Sequence, residues 1–234
     1  MIAWFLDASH WTGSDGVLTL VATHLAYSAI ALFAASIIAI PIGLYVGHTG
    51  KGKFLIAGSA NLLRALPSLG LIIMLVILFG PVFESDLAFI VPSLIVLVLL
   101  AVPPIMSGTY AGVVAVDPAA VDAARGIGYR PLGLLFGVEL PCALPLILSG
   151  VRGATLQVIS TATIAAYVSL GGLGRLIIDG RAQNDYAQMA AGAVLVGVLA
   201  LGVDLMIGLL SMILVSPGLT RRAGKNTRGA ALPR

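Results

Sequence analysis

Five long apolar stretches divided by short polar segments dominate the chain. The apolar runs are continuous rather than alternating, which predicts buried helices and not half-exposed strands. A helix needs about 20 apolar residues to cross a bilayer. The first stretch predicts a span from Val17 or Leu20 to Gly47, kinked at Pro41. Gly43 and Gly47 stand in the GxxxG spacing that admits a neighbouring helix. The second, residues 54–80, is interrupted by Asn61, Arg64, Pro67 and Ser68, so its spanning part is predicted as Leu66 to Phe79. The third runs from Leu87 to Met106, where Pro103 and Pro104 end or bend it. The fourth runs from Leu140 to Leu170 and stops at Gly171, Gly172 and Gly174. The fifth runs from Ala190 to Val215, with Gly192, Gly197, Gly202 and Gly208 as points of close packing. The segment leading to it, with Arg175, Asp179, Arg181 and Asp185, reads as a loop.

Composition agrees with this pattern. Of the 234 residues 59% are hydrophobic and 10% charged, against about 25% charged in a soluble domain. The expected fold class is therefore an all-α integral membrane protein. Residues 1–16 form an extracytoplasmic N-terminal segment, 17–215 the transmembrane domain, and 216–234 a basic cytoplasmic tail. Trp4 and Trp11 suit a membrane interface, and His10 reads as solvated. The start lacks the basic head and clean apolar core of an ordinary cleaved leader. The lone Cys142 permits neither an internal disulfide nor a multi-cysteine metal site.

Charge orients the chain. With five spans, all Lys and Arg residues except Arg175 and Arg181 fall on one side, Arg152 near that side or within the membrane, opposite Asp7, Asp15, Glu84 and Asp86. Basic loops stay in the cytoplasm, which places the N-terminus outside and residues 117–141 and the tail inside. A sixth span, made by splitting residues 134–170, would reverse the tail against that rule. The net charge of +3 is spread over loops and tail and gives no nucleic-acid footprint.

Residues 117–141, DPAAVDAARGIGYRPLGLLFGVELP, form the longest polar-bearing interruption. Asp117 is a helix cap and Pro118 fits the first helical position, where its missing N–H is not needed. Ala119, Ala120, Ala123 and Ala124 favour helix and carry little bulk. Gly126 and Gly128 stop that helix, and Pro131 opens a second one towards Leu134, Leu135 and Phe136.

This segment resembles the cytoplasmic EAA loop of ABC importer permeases. The family pattern is Glu-Ala-Ala, three residues, Gly, nine residues, then Ile-x-Leu-Pro. Here Asp122, Ala123 and Ala124 are followed at the same spacings by Gly128 and by Val138, Glu139, Leu140 and Pro141. Asp122 replaces Glu and Val138 replaces Ile. RALPSLGL, Arg64 to Leu71, resembles the osmoprotectant branch of the family.

The resemblance implies the five-helix core of a type I importer permease in a bacterial inner membrane. It implies a second permease subunit, identical or homologous, a cytoplasmic ABC ATPase dimer and an extracytoplasmic binding protein. It also implies substrates such as glycine betaine, choline or proline betaine. The helix Pro118 to Arg125 would dock in a groove of the ATPase through Asp122, Ala123 and Ala124. Gly128 would turn the chain out, and Leu140 and Pro141 would close the loop. The chain would need no cofactor and perform no catalysis itself.

Polar residues within the apolar stretches are candidates for a translocation path. Arg152, Thr155, Gln157, Ser160, Thr161 and Thr163 are too many for a lipid face and predict that the fourth span lines the bundle interior. Pro67 and Ser68 either open a helix beside the path or simply start one. Asp204 either pairs structurally, with Arg152 as one partner, or meets a cationic substrate. An ion-coupled secondary transporter using Asp204 is the main alternative, although no internal repeat supports it. An intramembrane enzyme lacks a site: His10, His24 and His48 are scattered and no serine has an adjacent base. Gly47, Gly52 and Lys53 mimic the start of a nucleotide-binding loop, but Phe54 stands where a magnesium-binding hydroxyl is required.

Overall fold

The computed structural model describes residues 2–54, 56, 58, 67–83, 85–168 and 170–215. The readings of Asn61, Arg64, Glu84 and the basic tail lie outside the described residues. Within them the chain is helical throughout, with no strand. The helices are α1 (Ile2–Leu6), α2 (Val17–Thr49), α3 (Ser68–Phe79), α4 (Leu87–Val114), α5 (Pro118–Gly126), α6 (Pro131–Val168), α7 (Gly174–Gln183) and α8 (Tyr186–Leu214). Helix α6 is composite. It passes from Pro131–Leu134 through a π-helical turn, Leu135–Glu139, into Leu140–Ala165, and ends in a short 3₁₀ turn.

Four of these helices, α2, α4, α6 and α8, are long and apolar enough to cross a membrane. The 33 residues of α2 reach about 50 Å at 1.5 Å per residue, well beyond a hydrocarbon core of about 30 Å. Gly50 closes α2 in the left-handed conformation at φ 70°. Helix α3 has 12 residues, about 18 Å, so its described part is too short to span by itself.

Pro103 and Pro104 do not end the third span. Helix α4 continues through them to Val114. A proline removes one helical hydrogen bond, but a membrane helix tolerates this where it is packed closely against neighbouring helices. Here α6 supplies the neighbour. A Cβ on Gly150 would lie 2.7 Å from the Pro104 carbonyl, so only glycine fits.

The core is the seam between α2, α4 and α6. Ala31, Ala35 and Ala39 form a fully buried small-residue stripe on α2, packed with Val96, Leu97, Ala101, Ala154 and Val158. Small residues let helix backbones approach, and close van der Waals contact is the main attraction available inside lipid. Gly43 and Gly47, the predicted GxxxG pair, meet Thr109 and Val113 of α4.

Two other expectations change. The segment before the last span is a helix, α7, closed by Asn184 at φ 58°. Helix α8 then begins at Tyr186, capped by Asp185 accepting from Ala187 and Gln188. Of the four glycines expected to allow close packing on α8, Gly192 meets Leu176 and Ile177 and Gly208 lies near the Arg152 guanidinium. A Cβ at Gly197 or Gly202 would meet nothing.

The N-terminal segment folds back on this end of the bundle. Trp4 packs with Leu173, Leu176 and Ala191. His10 is not simply solvated: its ring stacks on Trp4 with centroids 4.3 Å apart, and Nδ1 lies 2.9 Å from the Trp4 carbonyl.

Candidate functional site

Helix α5 forms as local chemistry dictates. Asp117 accepts from the backbone N–H of Ala119 at 2.9 Å, and Pro118 takes the first position. The helix ends at Gly126, one residue beyond the predicted end. The N–H groups of Ile127, Gly128 and Tyr129 then bond back to Ala123, Arg125 and Ala124. Gly128 alone of the two predicted glycines adopts positive φ, at 94°. That conformation is strained for a residue with a side chain and makes Gly128 the turning point.

The loop presents a mixed surface. Asp122 and Ala123 are exposed. Asp122 stands 3.7 Å from Arg125, but both side chains are largely solvated, so the pair leaves the carboxylate available. Ala124 is buried within the chain at 6% exposure, so Ala123 is the alanine of the pair offered outward. Ile127, Tyr129, Leu132 and Phe136 are exposed beside it. The ring of Tyr129 lies along Gly133 and Gly137, where a Cβ on Gly137 would come within 3.0 Å of it. Leu140 packs beside the cluster of Leu44, Val113, Leu135, Ala143 and Ile147, and Pro141 follows it in the first turn of the α-helical segment Leu140–Ala165.

A contact missed in the sequence sits at the end of this loop. Glu139 is 6% exposed, and its Oε2 lies 2.6 Å from His48 Nδ1 at the end of α2. Glu139 is the only acid between Arg130 and Arg152. A lone carboxylate in an apolar run was a usable signal, because a buried charge demands a partner. The partner, 91 positions away, was not deducible.

The second candidate region is on α6. Its polar residues divide between two faces and do not all point inward. Thr155 and Thr161 are buried, with Thr155 donating to the Val151 carbonyl at 2.8 Å. Arg152, Gln157 and Ser160 are exposed, together with Ser149 and Gly153. Arg152 makes a two-pronged salt bridge to Asp204 of α8, Nε to Oδ1 and an η-nitrogen to Oδ2. The arginine side chain is 46% exposed and the aspartate 15%. Pro67 and Ser68 stand at the start of α3, with Pro67 in the cap position. Among the described residues no hydrogen bond or ion pair joins them to Arg152, Gln157 or Asp204.

Comparison with known proteins gives a consistent result. The model of the family "binding-protein-dependent transport system inner membrane component" matches residues 39–219. The choline transport system permease protein OpuBB of Bacillus subtilis is 31% identical over 198 residues, covering 85% of this chain and 88% of the relative. The osmoprotectant import permease protein OsmW of Salmonella typhimurium is 30% identical over 216 residues, covering 92% and 100%. Among solved structures, an inward-facing MetNI methionine ABC transporter superposes with a TM-score of 0.72 at 20% identity, covering 86% of this chain and 96% of that one. That likeness concerns the fold. The chain belongs to the family of inner-membrane components of binding-protein-dependent transport systems.

Proposed function

We propose that this chain is the permease subunit of an ATP-driven importer of osmoprotectants, and that residues 117–141 receive the motion of a cytoplasmic ATPase dimer. The carrying observation is the shape of that loop. A capped helix exposes Asp122 and Ala123, turns at a left-handed Gly128, and sets Ile127, Leu132 and Phe136 outward. Apolar side chains exposed at the corner where α5 turns into α6 suit a protein groove better than water. Closure of the ATPases on ATP would push this corner and open the path alternately to each side.

The exposed polar face of α6 supports the place of that path. Ser149, Arg152, Gln157 and Ser160 would be costly against lipid tails. They suit a water-filled route bordered by a second permease subunit. We place the basic loops and tail in the cytoplasm and the N-terminus outside, with α3 as part of a fifth span. Substrate class follows the relatives, whose names give choline, glycine betaine and carnitine. A quaternary ammonium is usually held by an aromatic cage, and an extracytoplasmic binding protein would supply it. The ion-coupled alternative is weakened because Arg152 engages both oxygens of Asp204.

The test is purification in mild detergent, followed by reconstitution with radiolabelled choline or glycine betaine. Co-purification of an ABC ATPase and ATP-dependent uptake in the presence of the binding protein are expected. Uptake by the chain alone on an ion gradient would refute the reading.

A further inference from the structure

The path by which force would leave the loop is also visible. The corner at Gly128 leads into Tyr129, whose ring lies along Gly133 and Gly137. The chain next enters the π-helical turn Leu135–Glu139. Such turns are rare, and they re-aim side chains relative to a regular α-helix. Glu139, the last residue of the turn, reaches back to His48, one residue before the end of α2. Around it Leu44 of α2, Val113 of α4 and Leu135 of α6 share an apolar cluster. Apolar contacts can slide by a fraction of a residue, whereas a hydrogen bond at 2.6 Å is directional and is lost on a small displacement.

We infer that His48 and Glu139 form a clamp that makes the loop end of α2 move with the coupling loop, and are therefore positioning residues for transport. The inference rests on the coupling-loop reading above. Among the described residues the side-chain partner of the buried carboxylate is the imidazole, and the two side chains lie on different elements. A displacement of the π turn is thus delivered to α2 and not dissipated at the loop. Because α2 carries the buried alanine stripe of the central seam, moving its end moves the seam.

The experiment uses the complete importer, with its ATPases and binding protein, in proteoliposomes. Radiolabelled glycine betaine or choline taken up per ATP hydrolysed is measured for wild type, His48→Ala, Glu139→Ala, Glu139→Asp and the double alanine variant. Glu139→Gln is the conservative control, since its amide still bonds the ring. The alanine variants and the shortened Glu139→Asp are expected to hydrolyse ATP but lose uptake per ATP by up to about tenfold, the scale of one lost hydrogen bond. The double variant is expected to lose no more than either single one, because both remove the same contact. Glu139→Gln should keep most of the wild-type ratio. If Glu139→Ala fails to assemble, His48→Ala and Glu139→Asp carry the same test. Unchanged uptake per ATP in assembled variants, or losses that multiply in the double variant, would overturn the clamp alone. A wild-type complex with no ATP-dependent uptake would overturn the coupling-loop reading as well.

Discussion

The seam of α2, α4 and α6 and the outer helix α8 are built from similar residues and behave differently. Both are glycine-rich and strongly apolar. In the seam, glycine is required by the neighbour. A Cβ on Gly108 would lie 2.7 Å from the Leu146 carbonyl, and one on Gly112 2.7 Å from the Ala143 carbonyl. On α8, Gly197 and Gly202 face open space, and large side chains such as Leu201, Leu205 and Leu209 are exposed. Helix α8 is held chiefly at its N-terminal end, by Gly192 against Leu176 and Ile177, and by Asp204 against Arg152. A glycine in a membrane helix thus records close packing only where a partner backbone is present. The seam is a unit suited to rigid movement, while the open face of α8 is not packed against the seam.

Substitutions can break this contrast. The largest effect is expected for Gly108→Val. Its added carbons would strike the backbone of α6 at Leu146 and Gly150, an overpacking cost of at least about 1–3 kcal/mol. A sharply lower thermal midpoint in detergent and a reduced yield of protein are the expected results. Next is Arg152→Ala, which leaves Asp204 without its cation inside the membrane domain. Uptake and thermal stability should fall more than in the double variant Arg152→Leu with Asp204→Leu, which removes both charges. A double variant worse than the single one would show that the pair serves the substrate directly. A smaller effect on the fold is expected for Gly128→Val. The left-handed turn at φ 94° costs a side-chain-bearing residue about 1–2 kcal/mol, and the strain is confined to the loop. The midpoint should stay near wild type while ATP-dependent uptake is lost. Smallest is Gly202→Ala, where an added Cβ meets nothing. Thermal unfolding should stay within about 0.5 kcal/mol of wild type.

What could be read in the sequence was what depends on neighbours along the chain. The Asp117 cap, Pro118 at the first helical position and the turn at Gly128 follow from local geometry, and each is in place. The long apolar runs marked α2, α4, α6 and α8, because length and hydropathy define a span. Helix α7 was hidden because Arg175, Asp179 and Arg181 give it a loop's composition. Its turns are held instead by an Arg175–Asp179 pair and by packing of Leu176 beneath Trp4. The course of α4 through Pro103 and Pro104 was hidden because the close packing at that point, with Gly150, comes from another helix. The faces of α6 were misjudged because counting polar residues does not say which way each points. Thr155 is buried, and Gln157, two residues later, is exposed. His48 and Glu139 met only in three dimensions.

The corner around Ala123 is proposed to take up motion generated by an ATPase. The most direct measurement is cross-linking from Ala123→Cys in a Cys142→Ala background, within the assembled importer and across the nucleotide cycle. This position is expected to cross-link to the ATPase subunit, with a yield that changes between ATP-bound and nucleotide-free states. Labelling of Ala123→Cys only by a reagent confined to the extracytoplasmic side, or ATPase-free transport at the full rate, would contradict it.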